Sequence, residues 1–172
     1  MPRLNQSSRR AAASVELAFV VLFVFIPVLF GIWEAGRVIH VQQIVSNSAR
    51  EGARLAAQGY TINSTGSPTQ ITAGNVKDAV YQYLVTAGFT NLQPKDVAVT
   101  FAFTAPRADG TTPTDPYLGE KNEPFTVKVS IPWAKVRWID VGLIRPTEVT
   151  FTVTWQMLTD DAFTVNQSIP TM

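Results

Sequence analysis

The chain has no cysteine and a single histidine, His40, in 172 residues. Without cysteine there are no disulfides, no thiolate metal sites and no cysteine nucleophile, although the compartment stays open because an exported domain can do without disulfides. With one histidine, most histidine-dependent catalysis and multi-histidine metal centres are excluded. His40 also lies a few residues beyond a long apolar run, an awkward place for a catalytic triad. No G-x-S-x-G elbow, P-loop, H-E-x-x-H or dinucleotide glycine fingerprint occurs. Asp160 and Asp161 are adjacent and read as a solvated pair, not as a general acid and base. The reading is therefore of a non-enzyme without cofactor or metal. The sequons at Asn63 and Asn166 are short enough to arise by chance and carry no weight.

Charge is also scarce. The formal net charge is +1, divided unevenly. Residues 1–33 hold Arg3, Arg9 and Arg10 against Glu16, leaving eleven basic and twelve acidic residues in the remainder. The larger part has no basic footprint, so nucleic acid is not a predicted partner.

What the chain does have is a hydrophobic run. Leu17 to Trp33 is 17 residues without a charge, and Ala11 to Trp33 is 23 residues interrupted once, by Glu16. As helix these span about 25 Å and about 34 Å, at and above what a bilayer's hydrocarbon needs. The rival reading, a cleaved secretory signal, calls for a shorter core followed by an A-x-A site, and "IWEAGR" offers none. The predicted segment is a single-pass anchor, with its N-terminus held in the cytoplasm by the three arginines and everything after about Glu34 outside. Pro27 removes a backbone hydrogen bond in mid-run and predicts a kink; the alternative is that it ends the helix. Glu16 is either an interfacial carboxylate, solvated by headgroups or paired with Arg9 or Arg10, or one reserved for a partner within the membrane.

The stretch "RRAAASVELAFVVLFVFIPVLFGIWEAGRVIHVQQIVSNSAREGARLAAQG", residues 9–59, resembles the N-terminal region of TadE-like proteins, the minor pseudopilins of tight-adherence (Tad/Flp) pili. The matching features are the basic leader, the "AAASVE" step, the apolar run, then Glu34, Gly36 and Arg37, and "AREGAR" with Arg50, Glu51, Gly52 and Arg54. The late pieces "FTVKVSIPW" and "EVTFTVTWQML" are similar more loosely. The resemblance implies a structural or assembly component of a Tad-type pilus in the cell envelope. It also implies cutting by a prepilin-type peptidase between Ala11 and Ala12, and a register role for Glu16, fifth in the mature chain, against a neighbour's free N-terminal amine. Implied partners are the membrane, the peptidase, other pilins or pseudopilins and assembly-platform proteins. Ala11 stands where such sites usually carry Gly, so a permanently anchored, unprocessed extracytoplasmic binding module is the alternative; an exported hydrolase without recognisable motifs is a third reading.

Beyond the run, Val38, Val41, Val45, Ala49, Ala53 and Ala56 recur at helical spacing, with Gly59 as a stop. This face is predicted to pack on the protein's own sheet or on other subunits. Thr61 to Gly74 reads as a loop. A second helix follows, with Asn75 as N-cap, Asp78 in its first turn, a stripe of Val76, Ala79, Val80, Tyr83, Leu84 and Ala87, and Gly88 as its end. Tyr81 and Tyr83 read as core and surface packing. Three runs alternate as strands: Val97 to Phe103, Phe125 to Ile131 and Val149 to Met157. The fold class is α+β: a basic leader over 1–11, a transmembrane helix over 12–33, its extension over 34–59, and a head over 60–172 with a second helix and an antiparallel sheet of about three strands. In the long loop before the second strand, Asp109, Asp115 and Glu120 match no EF-hand spacing and read as plain exposed acids rather than a calcium site. Trp133 and Trp138 read as core fillers, with a membrane or partner contact as the alternative.

Overall fold

The computed structural model describes residues 6–107, 110–137 and 146–158, with the backbone alone for 6–11. Its spine is one continuous rod: α1, Gln6–Val20, a π turn at Val21–Phe25, and α2, Ile26–Gln58. Pro27 therefore does not end the helix. A proline in mid-helix has no N–H to give and presses on the carbonyl four residues back. Here the turn before it widens, and the Ile26 N–H bonds to the Val21 carbonyl five residues back. Gly59, at φ 65°, closes the rod, its N–H bonded to the Ala56 carbonyl. Only glycine enters this region without a steric cost.

The rod has two surfaces. From Val15 to Trp33 the large apolar side chains are 38–66% exposed. From Glu34 onward one face turns inward: Val41, Val45, Ala49, Ala53 and Ala56 are fully buried, as the three- and four-residue spacing predicts. Against it pack α3, Ala73–Thr86, and a three-stranded antiparallel sheet in the order β3-β4-β5. The strands are β3, Ala98–Phe103, β4, Pro124–Pro132, and β5, Glu148–Gln156. Between α2 and α3 lies a small hairpin of β1, Tyr60–Ile62, and β2, Pro68–Gln70. A one-turn helix α4, Trp133–Val136, follows β4. The fold is thus the expected α+β.

In the sheet, Val127 of the central strand faces Phe101 on one side and Val153 on the other. Phe125 likewise sits between Phe103 and Trp155. These side chains share the face that rests on α2 and α3, and Phe125, Val127, Val129 and Ile131 are fully buried. The opposite face carries Thr126, Lys128 and Thr152 into solvent, the alternation of an antiparallel sheet packed on one side. Val97 and Met157, just outside the strands, are buried with the same set. The Leu158 N–H bonds to the Ala57 carbonyl and ties the end of β5 to the end of α2.

Three expectations need correction. Residues 60–70 are not a plain loop: the Asn63 side chain accepts from the Thr65 and Ser67 N–H groups and folds the polar stretch into a hairpin turn. The N-cap of α3 is Thr72 rather than Asn75. Thr72 Oγ1 accepts from the Asn75 N–H at 3.3 Å, and Asn75 Oδ1 accepts from the Thr72 N–H at 2.9 Å, a reciprocal capping box. Asp78 consequently falls in the second turn, past the free N–H groups. The buried stripe of α3 is also narrower, Val76, Val80 and Leu84, because the helix lies under one edge strand and leaves Tyr83 and Ala87 exposed. Tyr81 donates to the Leu92 carbonyl.

The long loop is organised around Arg107. Its guanidinium reaches Glu123 at 2.9 Å, Glu120 at 3.4 Å and the Leu118 carbonyl. Asp115 accepts from the Ala73 N–H at 2.9 Å, at the start of α3. Asp109 lies outside the described residues, as do Trp138, Asp160, Asp161 and Asn166. Trp133 is buried, as a core filler should be.

Two measurements follow from this packing. A Cβ on Gly52 would stand 2.6 Å from Val80 Cγ2, the point where α2 and α3 touch. Gly52→Ala should lose about 1–3 kcal/mol by overpacking, and Val80→Ala in the same chain should recover part of it, read as thermal unfolding of the detergent-solubilised protein. The second concerns Glu123. Burial pushes its carboxyl up, but the Arg107 hydrogen bond, the Glu120 N–H and the Arg107 charge together hold it below the ordinary 4.5. Its stabilisation is therefore complete above pH 4.5 and lost as the pH falls through the lower folded value. Glu123→Gln should cost about 1–2 kcal/mol at neutral pH and flatten the acid limb of the melting-temperature profile; an unchanged limb would count against this clamp.

Candidate functional site

The residues singled out in the sequence nearly all stand on the rod, which makes it the candidate site. Its lower part begins with Ala11 and Ala12, whose peptide bond lies within α1. Ala12 and Glu16 are exposed, and among the described residues Glu16 has no ion pair. The side chains of Arg9 and Arg10 are not among those described, so the proposed pairing with Glu16 lies outside them. Phe19 and Phe23 stack at 5.6 Å along the apolar surface, one turn apart. The helix from Ala12 to Gln58 is long and apolar enough to cross a membrane. Its 47 residues would extend about 70 Å, so the lower half can cross a bilayer while the upper half stands clear.

Glu34 marks the boundary. It is the first position of the inward face, 4% exposed, and its Oε2 has no hydrogen-bond partner. Read from the sequence, Glu34 is a residue of the family motif just past the apolar run, with no place assigned in the core. The available signal was phase: Glu34, Val38, Val41 and Val45 follow one another at four, three and four residues, which puts the carboxylate on the core stripe. One turn later Arg37 donates to the Val136 carbonyl at 2.9 Å, and its guanidinium lies 5.8 Å from the centre of the Phe89 ring. This one side chain joins the rod to α4 and to the loop after α3, at the end of the head nearest the apolar run. Gly36, by contrast, faces open space, and His40 is exposed.

The "AREGAR" segment divides by face. Ala49, Gly52 and Ala53 are buried against α3 and the sheet, Gly52 by necessity. Glu51 and Arg54 form a two-pronged pair at 2.6 and 2.9 Å on the outside. The Arg54 hydrogen bond holds the Glu51 carboxyl below its ordinary value, and the same bond raises Arg54. Both side chains are well exposed, so screening leaves the pair little weight in stability. Arg50 is exposed in a groove shared with Gln43 and Asn47 of α2 and with Thr150 and Phe151 of β5. The structure thus brings Gly52 and Arg37 to the head's packing contacts, leaves Gly36, Arg50, Glu51 and Arg54 on the surface, and keeps Glu16 far from all of them along the rod. Among the described residues no three His, Asp or Glu side chains gather as a metal centre.

No curated protein and no solved structure matches the chain. The family model described as TadE-like protein matches residues 11–54, from the start of the apolar run to the last arginine of "AREGAR". That segment makes up most of the two-surfaced rod, and over it the chain is similar to TadE-like proteins.

Proposed function

We propose that this protein is a membrane-anchored, pseudopilin-like structural or assembly component of a Tad-type pilus. TadE-like proteins form a structural and assembly family associated with that pilus. The observation that carries the reading is the change of surface at Glu34 on one unbroken helix: apolar and exposed below, packed against its own head above. A subunit built this way is stored in a bilayer by its lower half and recognised outside by its upper half. The leader arginines hold the N-terminus in the cytoplasm, so the inner membrane is the seat and the head is extracytoplasmic. A prepilin-type peptidase cuts between Ala11 and Ala12, which frees an ammonium group and makes Glu16 the fifth residue. In hydrocarbon a carboxylate demands a partner, and the new N-terminus of a neighbouring subunit supplies one, setting the axial register of the two helices. The head presents partner contacts to other pilins and to the assembly platform. A permanently anchored binding module is the second reading, favoured by Ala11 in place of glycine and by the helical setting of the bond.

The N-terminal mass of the chain extracted from membranes that contain its own peptidase separates these readings. A start at Ala12 is expected. A start at Met1 or Pro2 would make the protein a permanent anchor with an interfacial Glu16, and a start beyond Gly31 would mean a cleaved signal and end the pseudopilin reading. In processed protein, Glu16→Gln should leave membrane insertion intact and lower co-purification with pilus subunits; undiminished co-purification would remove the register role.

A further inference from the structure

Among the described residues the sheet has two open edges, and neither is defended. Among the described residues no strand pairs with the outer side of β3 or of β5. Edge strands in soluble proteins are normally blunted by lysine, proline, a bulge or a very short length. Here Ala98–Phe103 has no charge and no proline, and neither has the stretch from Val149 to Gln156. The pairing with β4 is one-to-one along both strands, so no bulge twists them away. The sheet's lysine, Lys128, and its two prolines, Pro124 and Pro132, are all on the central strand, where they protect nothing. Along β5 the inner face is left partly uncovered, with Phe151 and Val153 half-buried and Trp155 38% exposed.

We propose that copies of this chain join edge to edge, β5 of one pairing in parallel with β3 of the next, into an open-ended continuous sheet. Direction selects this mode. β3 and β5 are both antiparallel to β4 and so run the same way. A second copy placed by translation therefore sets its β3 parallel to β5. The competing mode, β5 against β5, is antiparallel and needs a two-fold axis normal to the sheet. That axis reverses every direction in the plane, including α2, which packs flat against the sheet. The two apolar rods would then point opposite ways, and one bilayer could not hold both. Translation keeps the rods parallel. The contact is heterologous and does not close, so it adds copies without limit. It also brings the second copy's α3, which lies under β3, beside the groove along β5. Arg50 in that groove has no ion pair among the described residues, and Asp78, the acid of α3, is exposed, so the charges are complementary.

The absence of cysteine makes the test direct. Thr100 of β3 and Thr150, Thr152 and Thr154 of β5 are all exposed on the sheet's outer face. Within one copy β3 and β5 are two strand spacings apart, about 10 Å, too far for a disulfide. The purified full chain, reconstituted in liposomes, would carry Thr100→Cys with each of the three β5 cysteines in turn and be oxidised. The expected result is a ladder of dimers, trimers and larger species with at least one pair, and monomer with Thr152→Cys alone. In the ladder-forming chain, Val153→Lys should reduce the ladder at least five-fold, with the helix and strand content unchanged by circular dichroism. Dimers of Thr152→Cys alone in equal yield would establish the two-fold mode and overturn the proposal. So would the absence of a ladder in all three pairs when carbonate extraction shows the chain inserted. The proposal rests on the membrane reading but not on cleavage or on a pilus; a chain that carbonate strips from the liposomes overturns that reading and the selection of mode with it.

Discussion

Everything in this molecule hangs on one continuous helical rod whose surface changes character along its length. In hydrocarbon the backbone must satisfy its own polar groups, and a helix does so without help from neighbours. In the head the same helix must offer a surface close enough to pack. Those demands call for different side chains on the same geometry. Below Glu34 the rod carries large apolar groups all round, and above it a single face of Val, Ala and Gly. The small residues let α3 approach until Val80 reaches the space over Gly52. The β-branched and aromatic bulk that fills the core comes from the sheet instead, from Phe125, Val127, Val129 and Ile131.

The head is therefore an accessory clasped onto a helix rather than a separate globule joined by a linker. Its fastenings sit at both ends of the clasp. At the lower end Arg37 holds α4 and lies beside Phe89. At the upper end Leu158 holds the last turn of α2, and Gly59 turns the chain into the hairpin. A force on the rod is thus delivered to the head along α2 from Glu34 onward, not through one flexible joint.

Much of this was legible in the residues because the signals were periodic. The exposed run, the core stripe of α2 and the three alternating strands all appear where spacing placed them, since burial on one face forces that spacing. What was missed was local and reciprocal. Asn75 looks like a cap, but a capping box needs two partners, and Thr72 holds the position with the extended backbone. Asn63 sits in a polar stretch that reads as loop until its side chain is seen to bind two N–H groups ahead. Of the rod's motif residues, the sequence could not separate Gly52, which is excluded from carrying a side chain, from Gly36, which faces open space. That difference is made entirely by α3, more than twenty residues further along the chain. That both sheet edges are open among the described residues was equally hidden, because strand order is a property of the assembled sheet.

The π turn ahead of Pro27 does more than accommodate a ring. One extra residue in a turn re-phases everything below by about 100° relative to everything above. The azimuth at which Glu16 leaves the rod, measured from the head, is consequently fixed eleven residues away from it, by a proline. The rod behaves as a shaft with a keyed coupling: the turn decides which side of the head the carboxylate lies beneath.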